Sequence, residues 1–172
     1  MRFIGQIGAA WGAVGVFAIL LFAMYRLSQR AVAAYDGGLS PGQWFVTAVL
    51  CVAMAYSEGY RGFQLSFSPS TAARIRYLRD RPDTVRSLLA PLVAVGYLHA
   101  TRKKKIRSYS LSLGIVVLVV LVQRVSQPWR GIIDASVVVG LGWGVLSLGA
   151  SIARALSQAT CDTPPEVPLP PS

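Results

Sequence analysis

Three groups of residues carry side chains able to do chemistry within an otherwise apolar chain. The first is Glu58, Arg61 and Gln64 in the run EGYRGFQ, where a spacing of three can put an acid, a base and an amide on one helical face. A carboxylate near the end of an apolar helix calls for a partner or a water-filled pocket, and Arg61 is one turn away. The pair reads either as a headgroup, proton or substrate site, or as an interfacial ion pair that only fixes helix depth. The second group is Gln127, Trp129, Arg130 and Asp134, at the mouth of the next long apolar run. There Asp134 is expected in the first turn of a helix, stabilised by the helix dipole and pairing with Arg130 four residues earlier. The same residues read more sharply as an outer-leaflet site for a lipid or a partner subunit. The third is His99, ahead of the basic cluster from Arg102 to Arg107. A general base needs an oriented nucleophile or acid, and none is near in sequence, so an interfacial histidine is expected.

The elements that must position these groups are membrane helices. The chain has 172 residues, 53% of them hydrophobic and only 14% charged, which is too apolar for a soluble domain of this size. The formal charge of +10 is set between long apolar runs and not against a soluble core. Anionic lipid headgroups are therefore the expected partner, and nucleic acid is not. Cys51 and Cys161 are far apart and the single histidine excludes an intrachain His-rich metal site or bis-His haem. No nucleophile elbow, phosphate-binding glycine loop or zincin motif is present, and no metal or cofactor is implied.

Four runs read as transmembrane spans, at about 7–27, 43–64, 108–124 and 132–155. The uncharged part of the first, 7–25, covers about 28 Å as a helix, close to the hydrocarbon thickness. It is too long for a signal peptide, although Ala31-Val32-Ala33 resembles a cleavage site. Asp36 to Gly42 is a turn by composition, and Trp44 sits where an aromatic belt is expected. Residues 70–101 read as a basic interfacial or re-entrant segment, with a helix starting at Ser68-Pro69-Ser70-Thr71 and stopping at Pro82. The fifteen uncharged residues 87–101 are short for a crossing and contain Pro91. Residues 159–172 form a Pro-rich tail that is expected to be disordered; its PEVP also fits a PxxP ligand pattern.

Charge sets the topology. With four spans, thirteen of the seventeen basic residues fall on the side holding both termini, which is then cytoplasmic; a fifth span at 87–101 would abolish that asymmetry. Four spans also place the Glu58 and Arg130 groups on opposite sides of the membrane.

Two stripes of small residues are expected to pack helices together. Ser136, Gly140 and Gly144 repeat every four positions, and Gly8, Gly12 and Gly15, following Gly5, share one face of the first span. In lipid, close backbone approach along such stripes is a main source of helix association, and the two faces are expected to meet.

The segments EGYRGFQ, FSPS, APLVAVGYLHATRKKK and QPWRGIIDASVVVGLGWG together resemble a group of small bacterial integral membrane proteins to which no activity is attached. The resemblance implies a bacterial inner-membrane location and brings no catalytic residues with it. The fold expected is therefore all-α: an integral membrane bundle of four transmembrane helices with a basic connector between spans two and three. The leading function is an accessory or scaffold subunit of a membrane assembly, docked to a partner membrane subunit or a second copy and anchored to anionic lipid. A lipid or small-molecule binding or transport protein using Glu58, Arg61, Arg130 and Asp134 is the alternative, and a membrane-embedded enzyme the third.

Overall fold

The computed structural model describes residues 2–81, 83–98 and 119–157, with 102, 106, 109, 113 and 117 as isolated positions. Among these residues the chain is all helical, without strands. In order come α1 (Arg2–Asp36), α2 (Pro41–Met54), a π-helical segment (Ala55–Phe67), α3 (Ser68–Asp80), α4 (Thr84–Leu88), α5 (Ala90–Val95) and α6 (Trp129–Ser157). Among the described residues two helices, α1 from Phe3 onward and α6, are long and apolar enough to cross a membrane. Nearly half of 108–124, all of 159–172 and His99 lie outside the described residues, and the readings made for them with them.

α6 is the axis of the bundle, touching α1, α2, the π-segment and α3. α1 runs antiparallel to it, with the Arg30 carbonyl beside Gly131 and the Phe17 ring beside Gly149. The turn after α1 works as its composition suggests: Gly38 takes a positive φ of 76°. Ser40 then caps α2 through a reciprocal box with Gln43, at 3.3 and 2.8 Å. From Pro41 the backbone stays helical to Asp80 and runs parallel to α6, with Cys51 beside Ser136, Phe63 beside Gly144 and Ser68 beside Ser147.

That continuity corrects one sequence expectation: Ser68-Pro69 does not start a helix, because the chain enters it already helical with no side-chain cap. The helical backbone that begins at Pro41 likewise does not stop near residue 64. Instead, Pro69 coincides with the return from π to α winding. Proline has no N–H to place in either register, so the change costs no donor there.

α3 is packed inside the bundle. Ser68, Ser70, Thr71, Ala72, Ala73, Arg74, Ile75 and Leu78 are all buried in it, between α1, α5 and α6. α4 and α5 lie along the first half of α1, where Trp11 donates to the Leu88 carbonyl at 3.3 Å, and the chain turns at Gly96 with φ 94°. Within the described residues, 87–98 thus forms two short helices and not one crossing.

The glycine faces do not meet. Gly5, Gly8, Gly12 and Gly15 seat Arg79, Ser87, Ala90 and Pro91, whereas Gly140 and Gly144 seat Met54 with Glu58, and Phe63. Each stripe is filled from within the chain by a different stretch of residues 54–91. The outside is correspondingly apolar, with Phe3, Trp11, Phe22, Phe45 and Val52 exposed, while Arg74, Thr71 and Ser68 are fully buried.

Candidate functional site

The π-segment carries Glu58, Arg61 and Gln64, and its winding decides where each points. Hydrogen bonding from i to i+5 puts more residues in each turn than an α-helix has, so a spacing of three no longer keeps side chains on one face. Gly59 is the buried residue of the segment, its Cα lying against the Trp143 side chain, and a Cβ there would come within 2.8 Å of the Trp143 Cβ. Phe63 fills the notch at Gly144 and meets Phe67 edge-on at 5.2 Å. With Gly59 and Phe63 turned inward, Glu58 and Arg61 are exposed, and the expected Glu58–Arg61 ion pair is not formed. Only Gln64 finds a polar partner on α6: its Oε1 accepts a 2.8 Å hydrogen bond from Trp143 Nε1.

Depth differs from expectation as well. Glu58 lies beside Gly140, close to the midpoint of the 29-residue α6. Asp134 is six residues away along the same helix, about 9 Å at helical rise. The Glu58 and Asp134 groups are therefore neighbours along one seam and are not separated by a bilayer thickness.

At the start of α6, Gln127 accepts from the Gly131 N–H through Oε1 at 3.2 Å, satisfying one free donor of the helix end. Trp129 is partly exposed, and α6 begins there, which moves Asp134 into the second turn. Asp134 is only 3% exposed, and its Oδ2 is without a hydrogen-bond partner. The expected pair with Arg130 is absent, and Arg130 Nε is likewise buried and unpartnered. A base placed four residues before an acid is the weaker order for a helical pair, and here Asp134 turns into the bundle. The positive charges that act on Asp134 are Arg30 of α1 and Arg130. Deeper on the seam, Cys51 Sγ approaches Ser136 Oγ at 3.8 Å, and Ser136 bonds back to the Ile132 carbonyl at 2.8 Å.

At the far end of α6, α3 supplies caps that sequence reasoning missed. Arg76 Nη1 donates to the Ala155 carbonyl at 3.1 Å and Arg79 Nη1 to the Leu156 carbonyl at 3.0 Å. These are carbonyls that a helix end leaves without a partner, and cations there also suit the helix dipole. Asp80 holds both arginines, at 3.3 and 2.9 Å. Burial works to raise the Asp80 pKa, but hydrogen bonds and charge from Arg79 and Arg76 outweigh it and hold the carboxyl below its usual range. Because Gly5 also packs on Arg79, the start of α1 and the end of α6 meet at one residue. The one available signal was the basic residues every two or three positions in ARIRYLR, which read from sequence as a topogenic cluster.

His99, expected as an interfacial histidine, lies outside the described residues. No protein-family model, no curated protein and no solved structure matches this chain.

Proposed function

We propose that this is a four-span bacterial inner-membrane protein, both termini cytoplasmic, acting as an accessory subunit of a membrane assembly and held to anionic lipid by its basic residues. The observation that carries the reading is the state of Glu58 and Arg61. Both are exposed and, among the described residues, unpaired; Glu58 stands beside Gly140 of α6, and the same stretch of chain exposes the apolar side chains Val49, Val52, Tyr56 and Leu65. In hydrocarbon each such charge costs about 2.5–3.5 kcal/mol by insertion scales, and polar groups at that depth pair with one another or face a protein interior. A subunit interface removes that cost. The glycine stripes, filled from within, leave this strip as the docking feature. The test is gentle extraction from the native membrane followed by mass spectrometry. A second polypeptide chain, of the same or another kind, is expected in fixed ratio, and it should be lost in Glu58→Gln and Arg61→Gln variants that still fold.

A binding or transport role has its own support in Asp134. A buried carboxylate oxygen and a buried guanidinium nitrogen, one turn apart and both unpartnered, fit a polar ligand that accepts from Arg130 and donates to Asp134. On this reading Glu58→Gln and Asp134→Asn abolish uptake into proteoliposomes while leaving the oligomer intact.

A further inference from the structure

We infer that the occupant of the Glu58–Arg61 strip is a second copy of this chain, packed about a two-fold axis along the membrane normal so that each Glu58 pairs with the other copy's Arg61. The inference rests on the membrane reading above and adds the identity of the partner. Its basis is charge complementarity. One copy presents an exposed acid and an exposed base three residues apart on one winding segment, and among the described residues neither has an ion pair or hydrogen bond. A two-fold interface is self-complementary: what residue i meets on residue j, j meets on i. The acid and the base need not share a face: lying to either side of one contact line, they satisfy that condition with two reciprocal pairs and no net charge. A long carboxylate and a longer guanidinium arm bridge the small offset in depth. The flanking surface suits the same use, because Tyr56 and Tyr60 stack at 6.0 Å beside the strip and stay exposed. Aromatic side chains and arginine are enriched at interface cores, and interhelical polar pairs hold helices together in lipid.

The experiment is a charge exchange read by oligomeric state. Full-length wild-type protein, kept in native-lipid nanodiscs or mild detergent, is expected to run as a dimer. Glu58→Arg alone and Arg61→Glu alone should each lower dimer affinity by about tenfold or more, through like-charge contacts. The same two variants, co-expressed with different tags, should dimerise with each other, since Arg then faces Glu at both pairs; the double exchange Glu58→Arg/Arg61→Glu should restore the homodimer. Pairing of the two single variants also shows that both fold. A wild-type monomer at all concentrations, or failure of both rescues, overturns the inference. A stoichiometric partner of different sequence bound at Glu58 overturns it also, while sparing the assembly reading. Alkaline carbonate washing of membranes separates the two levels: protein washed free overturns the membrane reading and this inference with it, whereas protein retained as a monomer overturns only the second copy.

Discussion

The indole N–H of Trp143 on α6 donates to Gln64 of the π-segment at 2.8 Å, and the same side chain fills the space over Gly59. One residue thus supplies both the polar and the steric lock between the segment and the axis of the bundle. Trp143→Phe keeps most of the packing and removes the donor, leaving Gln64 unpaired. A loss of about 1 kcal/mol is expected, near the mean for interhelical polar contacts in membranes and for single hydrogen bonds. A double-mutant cycle with Gln64→Leu, read by thermal unfolding in detergent, checks the coupling; additive effects would show that the bond contributes nothing.

Gly140 and Gly144 test the seam by volume. A Cβ at Gly140 would stand 3.1 Å from the Met54 carbonyl oxygen, and one at Gly144 2.6 Å from the Phe63 ring. The Met54 contact is backbone and cannot swing away, so Gly140→Leu is expected to cost about 3 kcal/mol or more and to separate the π-segment from α6. For Gly144→Ala the expected loss is about 1–3 kcal/mol, with recovery in a Gly144→Ala/Phe63→Leu double variant. Equal melting temperatures for wild type and Gly140→Leu would contradict this packing.

The α6 axis was legible from the sequence because Ser136, Gly140 and Gly144 are four apart and have no other use. Their partner was not. A small-residue stripe says that something approaches closely, but which backbone does so depends on the whole packing, and Gly12 met Ala90 instead of α6. The π winding was equally hidden: EGYRGFQ fits an α-helix by composition, and the register change reflects the fit of Gly59 under Trp143 and the missing N–H of Pro69. The burial of α3 was missed because Arg74, Arg76 and Arg79 read as cytoplasmic charge. Two of them in fact reach the carbonyls that end α6, a demand set by tertiary structure and invisible in the residues themselves.

Asp80 makes that end of the bundle sensitive to acid. Its folded pKa is depressed below the ordinary 3.8 by Arg79 and Arg76, against the effect of burial. The stabilisation it gives is therefore present above that ordinary value and is lost as pH falls below it through the folded pKa. Hydrogen exchange at residues 153–157 should quicken as pH is lowered from 5 to 3, after correction for the intrinsic rate. In Asp80→Asn the exchange should already be fast at pH 5 and change little. Identical profiles for the two proteins would remove Asp80 from this role.

Asp134 gives a prediction of opposite sign. An unpartnered carboxylate oxygen in the bundle is a cost, so Asp134→Asn, which keeps the shape and removes the charge, is expected to leave thermal stability unchanged or raise it. Thermal unfolding of protein extracted with its native lipid checks this. A fall of several degrees would mean that a bound group holds the charge of Asp134.

The most direct measurement is native mass spectrometry of the full chain released from its own membrane, wild type beside Glu58→Gln/Arg61→Gln. The expected result is a complex with more than one polypeptide for the wild type, and a folded single 18.5 kDa chain for the variant. A wild-type protein that leaves the membrane as a single chain, with Glu58 and Arg61 uncovered, would contradict the subunit reading.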